Sequence, residues 1–202
     1  MDLSEKLTRR PALRHRNAVA FITVRSWRAA SRGDDLRAFK QEKRAAVSTL
    51  LSTAADDVAA EVAALLAPGP GWSVTCIAGG HSRSPDNWGK RLARLVAARL
   101  AAPFVQRFAD RPVSGSSHPK EFRRLPPLAW HQPPDGPVIV VDDVVTSGWH
   151  MEEALGMIRS TGHMAVGFAW IGGTVKGGEE APPSVRERAE TEPVPAGAWL
   201  GS

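Results

Sequence analysis

Apolar and polar positions along this chain fall into short blocks of alternating period. Val138-Ile139-Val140-Val141 is a run of four aliphatics bounded in front by Pro137, the pattern of a short strand buried on both faces. Ala18 to Val24 and Trp72 to Ala78 read as two more strands, Pro103 to Phe108 as a short one and Met164 to Ile171 as the last. Helical spacing fills the intervals. Asp34 and Asp35 open a long helical tract that runs to about Ala67, with a break expected between Ser48 and Thr53 and a firm stop at Pro68-Gly69-Pro70-Gly71. Ser84 is placed to cap a second helix, with Pro85 in its first position and Leu92, Leu95, Val96 and Leu100 facing inward. A third runs from about His150 to Ser160 and is ended by Gly162.

The remaining stretches lack a period. Residues 1–17 are polar and basic around Pro11 and are expected to be loosely ordered, with room for one short helix. Residues 109–136 form an aperiodic stretch too long for an ordinary connection, which marks a functional lid or disorder. From Gly172 the chain is rich in Gly, Pro and Glu and is expected to be a mostly disordered tail, Trp199-Leu200 excepted. Strands alternating with helices imply an α/β fold, a central mainly parallel sheet flanked by helices. The expected divisions are 1–71, a basic N-terminal region and helical tract serving as a variable hood or partner surface; 72–171, the core; and 172–202, the tail.

Composition narrows the class. A 202-residue chain that is 43% hydrophobic can bury a substantial core. Cys76 is the single cysteine, so no disulfide framework forms within one chain. No segment has the length and apolarity of a bilayer span, and the amino terminus lacks the apolar core of a secretory signal, so a reducing cytoplasm is the expected setting. Charge is uneven: residues 1–44 carry 12 Lys and Arg against 5 acids, while the other 158 carry 14 against 16. A front end this basic suits nucleic acid, a phosphate-rich substrate or an acidic face, or is simply a solvated helix face with a frayed tail.

The chemistry concentrates after the central strand. Asp142 and Asp143 stand at its carboxyl end, the edge where open α/β sheets bind ligands. Thr146, Ser147 and Gly148 follow, then a helix. A helix start offers backbone N–H groups and a positive dipole end to a phosphate, hydroxyls add donors, and glycine permits close approach. The carboxylates suit paired hydroxyls, as on a ribose, or a metal reached through water. A Walker-type strand also ends in acids, but it requires a GxxxxGK[ST] loop that the region around Gly89-Lys90 does not supply.

The segment Val138 to Gly148 resembles the phosphoribosyl-diphosphate (PRPP) signature of the type I phosphoribosyltransferases: a run of aliphatics, two acids, two aliphatics, then Thr-Thr-Gly or a near variant. The resemblance covers roughly residues 72–171, and the layout is similar to the competence-associated branch with its predicted amidophosphoribosyltransferases, although that branch's amino-terminal cysteine cluster is absent. It implies a parallel-sheet core with a small hood over the substrate base. It assigns Asp142 and Asp143 to the ribose hydroxyls of PRPP. Val144, Val145, Thr146, Ser147 and Gly148 take the 5′-phosphate. His150 stands where the family usually has Thr or Ser; donor to the phosphate and surface histidine are both open. Trp149 is bulky for its place, and packs under the loop or at a dimer contact. Gly79, Gly80, His81, Ser82 and Arg83 occupy the diphosphate-loop position, with Arg83 forking the diphosphate. Residues 109–136 map to the lid, where Lys120 is the first candidate to cover the leaving diphosphate and Arg107, Arg111 and Arg123 are others, each to be weighed against a solvated surface charge.

The activity implied is transfer of the ribose 5-phosphate group of PRPP to a nitrogenous acceptor with release of diphosphate. Mg²⁺ is the implied cofactor, held mainly through PRPP with no direct protein ligand and a water link to Asp142 or Asp143. Thr146, where some purine-using members of the family carry an acid that assists the base, argues mildly against hypoxanthine or guanine as acceptor. The rival reading is a non-catalytic PRPP or nucleotide sensor whose basic N-terminal region contacts nucleic acid. A homodimer is a further expectation from the family, and a membrane partner is not.

Overall fold

In the computed structural model, residues 7–28, 32–43, 48–77, 86–111 and 126–175 are described. One five-stranded sheet organises them, in the order β1-β2-β5-β4-β3. Strand β4 (Val138–Val145) runs parallel to β3 (Ser73–Cys76) on one side and to β5 (Ala165–Val175) on the other. Beyond β5, strand β2 (Val19–Arg28) is also parallel, and β1 (Leu7–Arg16) closes that edge antiparallel to β2. The aliphatic run at Val138 to Val141 therefore sits between two parallel neighbours, and all four side chains are fully buried. Burial of each contributes about 2 kcal/mol, which is why so short a run fixes its place.

Helices cover both faces. On one, α1 (Arg32–Glu42), α2 (Thr49–Leu66) and α3 (Trp88–Arg99) pack through Phe39, Val58, Val62, Leu92 and Val96 against Ile139, Val141, Phe168 and Trp170. On the other, α4 (Trp149–Arg159) sets Met151, Leu155 and Ile158 against Val138, Val140 and Ala165. Gly167 lets α4 approach β5 closely: a Cβ there would collide with Met151 and Leu155. The buried carboxylate of Asp57 on α2 accepts from Arg25 Nε at 2.5 Å and from Trp170 Nε1 at 2.9 Å, tying that helix to the sheet. Among the described residues no helix is long and apolar enough to cross a membrane.

Several expectations need correction. Residues 7–16 form neither loose chain nor a short helix but an edge strand, joined to β2 by a turn in which Asn17 takes φ 49°. The ladder is irregular between Arg9 and Ala12, around Pro11, which has no N–H to give. Strands β1 and β2 belong to the same sheet as β3, β4 and β5. The helical tract breaks earlier than expected, with Ser48 capping α2 through a 3.2 Å bond from Leu51 N–H. Asn87, not Ser84, caps α3, accepting from Lys90 N–H at 2.9 Å. Residues 103–108 form no continuous strand: Phe104 makes an isolated bridge to Val74 of β3, and Phe108 one to Trp130. Strand β5 runs on to Val175, four residues past its expected end at Ile171.

Candidate functional site

Strand β4 carries the acidic pair in its second half. Asp142 lies opposite Ala169 of β5 and is half-buried; Asp143 is 9% exposed. Adjacent strand residues face opposite sides of a sheet, and the two carboxylates are held differently. Asp142 Oδ1 turns back to accept the N–H of Asp143 at 2.8 Å. Asp143 Oδ2 pairs with the ammonium of Lys43, at the end of α1. These contacts engage one oxygen of each carboxylate, and a carboxylate has about four acceptor positions in all.

The electrostatics are those of two acids sharing one lysine. Burial first, and then the Asp143 charge, push the Asp142 carboxyl up to about 7, against the pull of the Asp143 N–H and of Lys43. For Lys43, burial would lower the ammonium, but attraction to Asp143, the bond between them and the charge of Asp142 outweigh it and hold it raised. The ammonium also lies 5.6 Å from the centre of the Phe39 ring. Lys43 was not legible as a site residue. A lysine past the end of a helix reads as a complement to the helix dipole, and its partner is 100 residues away.

After Val145 the chain leaves the sheet through Thr146, which is exposed, and Ser147, which is half-buried. Gly148 then adopts φ +80° and becomes the N-cap of α4. Only glycine fits well here: a Cβ would stand 3.1 Å from Phe21 Cζ and 3.5 Å from Arg16 Cβ, on top of the strain of a left-handed backbone. Side chains close the starts of α2 and α3, whereas no side chain caps α4. With glycine as its N-cap, α4 has no capping hydroxyl or carboxylate of its own at that position. His150, half-buried, stands on that first turn.

Three residues outside the sequence pattern hold this turn. Arg16, the last residue of β1, donates from Nε to Glu152 Oε2 at 2.8 Å and from Nη1 to the Ser147 carbonyl at 3.2 Å. Its guanidinium stacks 3.7 Å from the centre of the Trp149 ring, so the indole packs against the hairpin. Asn17 also bonds to Glu152, and Phe21 supports Gly148 from below.

Two of the lid candidates have other work. Arg107 is 1% exposed and binds Asp135 at 2.7 Å, the Pro133 carbonyl at 2.7 Å and Ser73 Oγ at 3.1 Å. Through that bond and its charge it holds the Asp135 carboxyl below the usual range. Arg111 is 5% exposed and bonds from Nη1 to Glu153 Oε2 of α4 at 3.0 Å and to the Pro126 carbonyl at 2.9 Å. Neither is a solvated surface charge or a mobile cover; both pin chain segments to the core. Gly79, Gly80, His81, Ser82, Arg83, Lys120 and Arg123 lie outside the described residues.

No family model matches the chain, and no curated protein matches it. Among solved structures, it is similar to an orotate phosphoribosyltransferase from Aeropyrum pernix, with 20% identity over 88% of this chain and 79% of that one and a TM-score of 0.36. It is also similar to a purine phosphoribosyltransferase from Pyrococcus horikoshii Ot3, with 15% identity over 66% of this chain and 91% of that one and a TM-score of 0.36.

Proposed function

We propose that this chain is a phosphoribosyltransferase that moves the ribose 5-phosphate group of PRPP to a nitrogenous acceptor and releases diphosphate. One observation carries the reading: an acidic pair late in β4, a strand with parallel neighbours on both sides, followed five residues on by a left-handed glycine that is the N-cap of α4 and gives it no side-chain cap. That unit sets acceptors for a diol and donors for a phosphate a few residues apart, which is the polarity of a sugar phosphate. In this reading Asp142 and Asp143 accept from the ribose hydroxyls. The backbone and hydroxyls from Val144 to Gly148 receive the 5′-phosphate, with His150 as a further donor. Gly79, Gly80, His81 and Ser82 cradle the diphosphate, Arg83 forks it, and Lys120 covers it as it leaves.

The bond from C1 to the diphosphate oxygen breaks, the bond from C1 to the acceptor nitrogen forms, and the acceptor's proton passes to solvent. The step needs no protein nucleophile, so the chain's contribution is alignment and stabilisation of charge on the leaving group. Carboxylate oxygens suit a hard cation, but the Asp143 carboxylate is already paired with Lys43. In this reading Mg²⁺ would be held mainly by PRPP oxygens, with a water link to Asp142 or Asp143; when bound it neutralises the leaving diphosphate. We further propose that it lies nearest the competence-associated branch of the family and, with its lone Cys76 buried, works in a reducing cytoplasm.

The test is to incubate the chain with PRPP, Mg²⁺ and a panel of nitrogenous acceptors, ammonia included, and to follow diphosphate. Acceptor-dependent release is expected. Tight PRPP binding without release for every acceptor would instead make the chain a PRPP-binding protein.

A further inference from the structure

Arg16 reaches the candidate phosphate turn from a part of the chain with no motif. It ends β1, and one guanidinium makes three contacts at once: Glu152 at 2.8 Å, the Ser147 carbonyl at 3.2 Å and the face of Trp149 at 3.7 Å. Each has a consequence for an anion at the turn. The C=O of Ser147 and the N–H of Gly148 belong to one planar peptide and point in opposite directions. Holding the carbonyl toward β1 therefore turns the Gly148 N–H away from the hairpin. Glu152 lies in the first turn of α4, where its charge favours the helix dipole but opposes a phosphate. Arg16 offsets that charge, and Asn17 donates a hydrogen bond to the same carboxylate. The stacked indole is drawn toward the hairpin.

We propose that Arg16 is the positioning residue of the phosphate turn: it orients the Ser147–Gly148 peptide and neutralises Glu152, so that a sugar 5′-phosphate can settle on the start of α4. The inference rests on the transferase reading of that turn and adds a residue to it. Arginine suits the role because its planar fork binds carboxylate and carbonyl together while it stacks; a lysine cannot do all three.

The experiment is calorimetric titration of the full chain with ribose 5-phosphate. Arg16→Met is expected to weaken binding about tenfold or more. Its deficit should grow from about pH 5.5 to about pH 7.5, as the phosphate monoester takes its second charge near pH 6. In Arg16→Met/Glu152→Gln that pH-dependent growth should vanish and part of the affinity return, which general damage to the fold would not produce. Arg16→Lys should fall between wild type and Arg16→Met, and it stands in if the methionine variant does not fold. Affinity within twofold of wild type in whichever of the two folds overturns the inference while leaving the transferase reading intact. Failure of the unaltered chain to bind ribose 5-phosphate removes both.

Discussion

Asp142 sits in an environment far from its chemistry in water. Half-buried and beside a second carboxylate, it is pushed up to about 7, whereas in the unfolded chain it titrates near 3.9. The folded state therefore holds the proton more tightly than the unfolded one. The stability from that proton is fully present below about pH 3.9 and is lost as pH rises through about 7. Asp142→Asn should raise the melting temperature of the unliganded chain above about pH 7, and the gain should shrink steadily toward pH 4. A gain independent of pH, followed by thermal unfolding across that range, would show that the raised carboxyl is not the cause. A free chain made less stable by an ionised site residue is the pattern of a site kept for a ligand rather than for folding.

At the scale of elements, the β4–turn–α4 unit was legible because its signals are local. A contiguous aliphatic run can be only a buried element, and Gly148 precedes a helical spacing it can start. Strand β1 was not legible. Its order comes from partners far along the chain: Arg9 reaches Glu61, Arg14 the Gly172 carbonyl and Arg16 Glu152. Taken alone it reads as a polar basic tail. The start of α3 was misplaced for a milder reason, because Asn87 and Ser84 are equally good caps and local chemistry does not choose between them. Gly148 allows a test of the unit itself. Gly148→Ala brings a left-handed alanine within 3.1 Å of Phe21 and should lower stability by about 1–3 kcal/mol, read from the urea midpoint. It should also weaken PRPP binding; a variant as stable as wild type would mean that Phe21 and the turn adjust freely.

Over the whole molecule, the uneven charge of the sequence takes on a different meaning. Basic residues of the front end pair with acids of the remainder: Arg9 with Glu61, Arg16 with Glu152, Arg25 with Asp57 and Lys43 with Asp143. Composition showed the imbalance, but only the sheet order, which sets β2 beside β5 and β1 beyond it at the edge, shows where those charges go. The same arrangement brings Lys43 and Arg16 to the two halves of the candidate site, the acidic pair and the phosphate turn. The central claim is that this site grips a sugar phosphate, with the diol on the aspartates and the anion on the turn. Calorimetric titration of PRPP with Mg²⁺ into the wild-type chain and into Asp142→Asn/Asp143→Asn tests it most directly. The account predicts saturable binding to the first and none to a second that melts cooperatively; equal affinity in both would contradict it.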